Sequence, residues 1–514
     1  MDSYTVAELL RKPRTAQRVN ERRVAISFEG RDLTYDELDE RSTRLATSLR
    51  DQGFAKGDRV GVLMYNRLEW AEVFFAVAKL GGVVVPINYL LKTQEVEFIL
   101  ADCGARWVVY ERELASIVPP SAERRYVGVD TPDTPGVLSY TALVGAGRGE
   151  AGRGEALPPV AADDLFLLQY TSGTTGTPKG AMHTHSTVLW NSFHQIVDYA
   201  VTAAEVFVVV PALCWAAGFH DIALATLWRG GRVILSPSTG FEPARFLELV
   251  ERERVTSVLL VPTVLKRVLA EPTIASRDLS SLRIIASGGE PVPVTAIEDA
   301  RRKLPTCDLL QCYGMSEFPT MMLYLDGPDA VRKIGSAGRA CSAAEIRVVD
   351  TDGADVPPGT VGEIVCRSPA TMLGYYGRPD ATASTLVDGW LHTGDLAQVD
   401  EEGYVYISGR SKDMIISGGL NVYPAEVERV IAQHPAVLEA AVVGVEDPKW
   451  GEIGDALVVL RPEASLSEGE LLPYLKEQLA NYKIPRRFTF TGDPLPRTTS
   501  GKVQKFRVKE VLGA

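Results

Sequence analysis

The sequence predicts an α/β protein in which a large N-terminal region of doubly wound sheets, carrying a β-rich subdomain, precedes a small α+β C-terminal domain. Three observations predict it. The chain has 514 residues, too many for one ordinary domain. Up to about residue 335, short apolar runs alternate with segments of helical periodicity, the rhythm of parallel strands joined by helical crossovers. Beyond it come short strands set off by Gly, Asp and Pro turns, and from Ser411 a last segment of domain-like size begins. The expected boundaries are a large domain over 1–409, its β-rich part over about 335–409, and a cap over 410–514.

Along the chain, Thr34 can cap a helix, with Glu37 three residues on and Leu38, Leu45 and Leu49 recurring at helical spacing. Val60–Met64 reads as a strand, Trp70–Leu80 as an apolar helix and Gly82–Pro86 as the next strand. Trp107–Tyr110, Leu165–Leu168, Val206–Val210, Arg232–Leu235, Val258–Val261 and Leu282–Ile285 are further buried-strand candidates. The tandem Ala-Gly-Arg-Gly-Glu at 146–150 and 151–155 reads as a surface loop. Short strands follow at Glu345–Val349, Gly362–Cys366 and Tyr404–Ile407. The C-terminal part carries helices at Pro424–Gln433 and Glu468–Ala480 and strands at Ala440–Val443 and Ala456–Val459.

Hydrophobic residues make up 46% and charged residues 23%, the profile of a globular protein. The formal charge of −12 argues against a broad nucleic-acid surface. Six scattered cysteines form no CxxC pair and suggest a reducing, cytoplasmic setting. The N-terminus lacks the basic-then-apolar order of a signal peptide. The longest uncharged run, Val206–His220, is too short to span a bilayer and contains Pro211, so no integral membrane association is expected.

The densest chemistry lies in Tyr170–Gly180, where five Ser/Thr hydroxyls, three glycines and Lys179 follow a strand. Glycines bring backbone amides close to a ligand, and amides with hydroxyls suit phosphate oxygens. The run is not a P-loop: Pro178 stands where that motif needs its second glycine, and Gly180 follows the lysine. Downstream come Gln311-Cys-Tyr-Gly-Met-Ser-Glu317, His392-Thr-Gly-Asp395, Gly409-Arg-Ser-Lys-Asp413, Ser417-Gly-Gly-Leu-Asn421 and Pro496-Arg-Thr-Thr-Ser-Gly-Lys502. In type, order and spacing this series resembles the adenylate-forming family of acyl-CoA synthetases, peptide-synthetase adenylation domains and luciferases, over essentially the whole chain. Gly81-Gly-Val-Val-Val-Pro-Ile-Asn88 looks like the acyl-CoA synthetase branch.

The resemblance implies a carboxylic acid, ATP, Mg²⁺ and coenzyme A as reactants, and a mobile cap hinged at Lys412. It implies phosphate binding by Thr171, Ser172, Gly173, Thr174, Thr175 and Lys179, and Mg²⁺ binding by Glu317. Ser316 would stand near the α-phosphate or the carboxylate. Gly288, Gly289, Glu290 and Tyr313 would flank adenine, and Asp395 and Arg410 the ribose. Lys502 would reach the reacting carboxylate and phosphate, compensating charge as two anions meet. Trp215, Gly218, Gly314, Met315, Gly418 and Gly419 would line the acyl and pantetheine channel.

Two stretches depart from the family's pattern. Pro211-Ala-Leu-Cys-Trp215-Ala-Ala-Gly218 stands where many members carry Pro-x-Phe-His, and its small residues hint at room for a bulky or ring-containing acyl group. Gly338-Arg-Ala-Cys-Ser-Ala-Ala344 replaces the usual prolines and glycine, leaving the local turn and Arg339 open. His183 and His185 are spaced as on one strand face; a metal pair and a structural role are both readings. His220 is either a pocket residue or a satisfied core histidine. The function expected is an ATP-dependent ligase joining an apolar, bulky acid to CoA. The rivals are loading of a carrier protein, a thioesterification-only variant, an acyl-adenylate binder without adenylation, and a light-emitting oxygenase. The oligomeric state is left open, a homodimer being allowed.

Overall fold

The computed structural model describes residues 4–11, 23–146, 156–171, 178–497 and 503–513. Apart from Ala146, the tandem repeat lies outside the described residues. The chain folds into two compact units, one of residues 1–345 and 366–391, the other of 346–365 and 392–514.

The first unit holds two large sheets. In the nine-stranded sheet the order is Arg339–Ala340, Phe318–Leu325, Asp308–Met315, Ile284–Gly288, Ser257–Leu259, Val206–Val209, Arg232–Leu235, Val24–Phe28, Arg31–Thr34. Its central strands are parallel and its flanks antiparallel. The seven-stranded sheet runs Val137–Ser139, Arg125–Val129, Trp107–Glu111, Arg59–Leu63, Val83–Pro86, Leu165–Thr171, Lys179–Thr184, with only the last pair antiparallel. Parallel sheets are covered on both faces, which is why these strands read as continuous apolar runs. The expected strand over Leu282–Ile285 is displaced to Ile284–Gly288, because Asp308–Met315 offers ladder partners as far as Cys312, opposite Gly288.

The helix Leu68–Leu80 touches Val83–Pro86 of one sheet and Val24–Phe28 of the other. Every residue of it except Lys79 is buried, as a helix apolar on all sides requires. Phe74 centres an aromatic cluster, stacked on Trp70 at 5.3 Å and edge-on to Phe166 at 4.9 Å and Phe219 at 5.0 Å. Its charges are paired, as burial demands: Glu69 with Arg67 at 2.8 Å, Glu72 with Arg41 at 2.9 Å, Lys79 with Asp39 at 2.6 Å. The Thr34 cap is a full capping box, with Glu37 bonding back to the Thr34 amide at 2.9 Å.

In the second unit, residues 395–399 of the strand Trp390–Val399 pair antiparallel with Val405–Arg410. A further five-stranded sheet runs Leu420–Val422, Ile415–Ser417, Gly451–Leu460, Val437–Asp447, with Arg487–Thr491 added parallel to Gly451–Leu460. Helices Pro424–Ala432 and Glu468–Lys476 bury Val427, Ile431, Leu471 and Leu475 in one core cluster with Val442 and Val458 of the sheet. The helix Lys505–Leu512 places Val508 in a second cluster with Val443 and Leu457.

Candidate active site

The first unit gathers its candidate residues where the chain leaves the carboxyl ends of parallel strands, the usual place for ligands in open α/β sheets. Leu165–Thr171 leads into the phosphate-type loop and Lys179–Thr184 returns from it antiparallel, Thr171 opposite Lys179. Ser172, Gly173, Thr174 and Thr175 lie outside the described residues, as does Lys502. The Lys179 ammonium stands 4.7 Å from the ring centre of Tyr375, a cation–π distance. The Tyr375 hydroxyl donates to the Glu317 carboxylate at 2.6 Å, and both side chains are buried. Burial, and then the Glu317 charge, hold that phenol above its ordinary value, so it keeps its proton and remains a donor.

The segment carrying Tyr375 is stitched along the strand after Lys179. Leu373 N donates to Met182 O, Met182 N to Gly374 O and Tyr376 N to Gly180 O, each at 2.9 Å, while Met372 N reaches Glu317 O at 2.9 Å. Sequence reading missed Tyr375: its only mark is a Gly-Tyr-Tyr run, and its partner lies 58 residues away.

Glu317 sits at the tip of a hairpin between Asp308–Met315 and Phe318–Leu325, with Met315 opposite Phe318. Gly314 is required there, since a Cβ would stand 1.6 Å from the Thr320 carbonyl oxygen. Tyr313, on the same strand, pairs with Leu323. Ser316 is anchored through its backbone oxygen, which lies 2.8 Å from His183 Nε2. Carbonyl acceptance makes that nitrogen the protonated one and leaves Nδ1 a lone pair, without a partner among the described residues. Burial lowers His183 to about 4. Across the sheet, Gly288 ends the adjoining strand, where a Cβ would meet Cys312 O at 2.4 Å; Gly289 turns with φ 85, and Glu290 follows.

After Val206–Val209, Trp215 precedes the short helix Ala216–Phe219. A Cβ at Gly218 would stand 2.1 Å from Ala212 O, so close backbone approach accounts for that glycine. His220 is fully buried and lowered to about 3 by burial, then by His183. Its backbone oxygen accepts from Asn191 at 2.8 Å, and Gln195 Nε2 donates to Asp221 Oδ1 at 3.1 Å. Burial raises Asp221 to about 7. Both ring nitrogens of His220, Trp215 Nε1, Ser287 Oγ and Gln311 Nε2 are buried and without a partner among the described residues. Buried polar groups are normally satisfied, so such a set suits hydrogen bonds to a ligand or to water.

The reading of His183 and His185 as one strand face is corrected. His185 opens the helix His185–Asp198, capped by Thr184, because the Thr184 side chain accepts from Thr187 N at 3.1 Å. His185 Nδ1 accepts from Val6 N at 3.2 Å and its ring stacks on Phe166 at 4.4 Å. Among the described residues the one His/Cys/carboxylate group close enough to share an ion is His194, Asp198 and Cys341. There Asp198 already binds the Ser342 amide at 3.1 Å and the Ser342 hydroxyl, which holds the proline-free 338–344 turn. Arg339 lies opposite Tyr324 in a short ladder.

In the second unit, Asp395 and Arg410 face each other across a ladder, their side chains 3.4 Å apart. Within the strand Trp390–Val399, His392 and Gly394 are held by Glu363, whose carboxylate takes Gly394 N and His392 Nδ1, each at 2.9 Å. Glu363 was not singled out from the sequence; it lies in a strand read only as structural. Lys412 occupies the short turn Ser411–Asp413. Burial lowers its ammonium below the ordinary lysine value, Asp413 opposing. Gly418 and Gly419 both have positive φ, 59 and 80, at the turn of the Ile415–Ser417 hairpin, where glycine is the residue that fits.

Residues 13–376 match the AMP-binding enzyme family, and 426–502 match the AMP-binding enzyme C-terminal domain. The chain belongs to the AMP-binding enzyme family. Its relatives include a feruloyl-CoA synthase from an Amycolatopsis species, 42% identical over 96% of this chain and 97% of that one. An indoleacetate–CoA ligase from Aromatoleum aromaticum is 37% identical over 95% of each. Among solved structures, O-succinylbenzoate coenzyme A synthetase from Bacillus subtilis, with ATP and a magnesium ion, is 31% identical over 99% of each chain, with a TM-score of 0.84.

As a member of this family the protein is an AMP-forming acid–thiol ligase that uses ATP and CoA. The first unit's chemistry fits magnesium nucleotide. Mg²⁺ commonly takes one or two protein carboxylates and completes its shell with phosphate oxygens and water, so a single Glu317, bonded to the tyrosine that Lys179 overlies, suits it. No helix among the described residues is long and apolar enough to cross a membrane.

Proposed function

We propose that this AMP-binding enzyme activates an apolar, ring-bearing carboxylic acid as its acyl-adenylate and passes the acyl group to the thiol of CoA. The observation that carries the reading is the row Lys179, Tyr375, Glu317: an ammonium against an aromatic ring whose hydroxyl holds a buried carboxylate. A carboxylate and a triphosphate repel, and their meeting needs fixed positive charge on one side and an anchored metal ligand on the other. In the first step a carboxylate oxygen attacks the α-phosphorus and pyrophosphate leaves. In the second the CoA thiolate attacks the acyl carbon and AMP leaves.

Lys179, with Thr171, Ser172, Gly173, Thr174 and Thr175, is proposed to hold the β- and γ-phosphates. Glu317 is proposed to hold Mg²⁺, which when bound neutralises charge on the phosphate oxygens. Tyr375 keeps the Glu317 carboxylate aimed, and His183 fixes the Ser316 backbone beside it. Gly288, Gly289, Glu290 and Tyr313 are assigned to adenine, Asp395 and Arg410 to the ribose, and Lys502 to the reacting anions. The cap, 410–514, is proposed to turn at Lys412 between the two steps, presenting Gly418 and Gly419 to pantetheine. Such a turn lets one cavity serve two different second substrates.

Two observations support the acid's class. Feruloyl, indoleacetate and O-succinylbenzoate in the relatives' names are all ring-bearing acids. Here Trp215, His220 and Ser287 keep buried hydrogen-bonding atoms without partners among the described residues, which a polar ring substituent would satisfy. All six cysteines are free thiols, which suits action in the cytoplasm.

Pyrophosphate release, measured with ferulate, indoleacetate, benzoate and octanoate, with and without CoA, tests the reading. Pyrophosphate from the ring-bearing acids and a CoA thioester on adding CoA are expected. Octanoate turned over with equal kcat/KM would overturn the acid class. An acyl group found on a carrier's phosphopantetheine and never on free CoA would overturn the acceptor. Lys502→Ala is expected to lower pyrophosphate release at least tenfold while leaving thioester formation from synthetic feruloyl-AMP intact; equal loss of both would remove Lys502 from the first step.

A further inference from the structure

Asp102 is the last residue of the helix Thr93–Asp102. A carboxylate there faces the negative end of the helix dipole, and its side chain is only 9% exposed. Two groups offset that cost. Tyr170 donates its hydroxyl to Asp102 Oδ2 at 2.7 Å, and the Arg378 guanidinium binds Oδ1. Burial and the Asp102 carboxylate raise the Tyr170 phenol, which stays a donor.

These two partners sit on the segments that carry Lys179 and Tyr375. Tyr170 lies opposite Gly180 in the ladder, and its ring packs within 3.0 Å of where a Gly180 Cβ would stand. Lys179 is the adjacent residue. Arg378 closes the turn after Tyr375: its amide donates to Tyr375 O at 3.1 Å. Its carbonyl accepts from Thr382 Oγ1 at 2.9 Å, and that same oxygen accepts from Tyr375 N at 2.9 Å. One carboxylate thus braces both members of the Lys179–Tyr375 pair from behind, and through Tyr375 it reaches Glu317.

We propose that Asp102 is a positioning residue of the adenylation site, setting the spacing between the Lys179 ammonium and the Tyr375–Glu317 pair and with it the affinity for magnesium nucleotide. The proposal rests on the reading that Lys179 and Glu317 face ATP. It assigns to Asp102 no contact with substrate. Its effect is therefore confined to the half-reaction that handles the triphosphate, since thioester formation from acyl-AMP involves no β- or γ-phosphate.

The test uses the full-length enzyme. Asp102→Ala is expected to raise the calorimetric Kd and the KM for MgATP tenfold or more, leaving the KM for ferulate and the rate from synthetic feruloyl-AMP within twofold. Tyr170→Phe, which removes one hydroxyl and keeps the ring, is expected to weaken MgATP about threefold and to add nothing in the Asp102→Ala background. Unchanged MgATP binding in either variant, or an equal fall in both half-reactions, overturns the proposal. If Asp102→Ala does not fold, Tyr170→Phe alone decides. Wild-type enzyme that binds no MgATP overturns the parent reading and this proposal together, whereas normal wild-type binding with indifferent variants overturns this proposal alone.

Discussion

At the scale of single residues, the site depends on how a buried carboxylate is held and aimed. Glu317 is 6% exposed and takes the Tyr375 hydroxyl at 2.6 Å. A hydrogen bond to a charged group contributes about 1.5–3 kcal/mol, roughly ten- to a hundredfold in an equilibrium. Tyr375→Phe deletes that bond and keeps the ring under Lys179. We expect kcat/KM for MgATP to fall about tenfold and the Mg²⁺ concentration for half-maximal pyrophosphate release to rise; an unaltered Mg²⁺ profile would detach Tyr375 from the metal ligand. Glu317 was singled out in the sequence because it ends the run Tyr-Gly-Met-Ser-Glu. Tyr375 and Asp102 were not: the Asp102 carboxylate meets Tyr170 across 68 residues, and nothing in local spacing encodes such a meeting.

At the scale of elements, strands such as Leu165–Leu168 and Val206–Val210 were legible as apolar runs, whereas Lys179–Thr184, Asp308–Met315 and Phe318–Leu325, which flank Lys179 and Glu317, were not singled out. What the runs did not encode is how closely backbones approach. At Gly314, a position also assigned to the channel, a Cβ would stand 1.6 Å from the Thr320 carbonyl oxygen. That oxygen belongs to the facing strand and cannot swing aside as a side-chain tip would. Thr320 itself has φ 88, a left-handed conformation already strained for a β-branched residue. Gly314→Ala is therefore expected to lower the thermal midpoint by a margin matching an overpacking cost of about 1–3 kcal/mol, and to disturb Glu317 at the hairpin tip. An unshifted midpoint with full activity would show that the hairpin opens without cost. The strand-to-helix junction between His183 and His185 teaches a complementary lesson. A two-residue spacing suggested a shared strand face, but Thr184 and Thr187 carried a capping signal that splits the pair between two elements.

At the scale of the whole molecule, the buried titratable groups predict how the fold responds to acid. Burial lowers His183 and His185 to about 4 and His220 to about 3, against an ordinary 6.5. Between pH 6.5 and about 4 the unfolded chain takes up protons on these three rings that the folded protein refuses, so stability present above 6.5 is lost as pH falls through that window. Asp221, raised to about 7 by burial, works in the opposite direction. The folded protein keeps its proton from about pH 4 to 7 while the unfolded chain has released it, so this group costs stability as pH rises. Burial also raises Glu72, Glu111 and Asp455, which work in the same direction as Asp221. The three histidine shifts span the whole window, and with those dominant the urea midpoint should fall from pH 6.5 to 4.5. His220→Phe removes a ring whose two nitrogens have no partner among the described residues and which packs 5.6 Å from Phe74. That variant should show a shallower fall over the same window while Asp221→Asn, losing the opposing group, should show a steeper one. A midpoint that climbs on acidification would mean that these histidines are charged in the folded protein, and the neutral interior beneath the site would have to be redrawn.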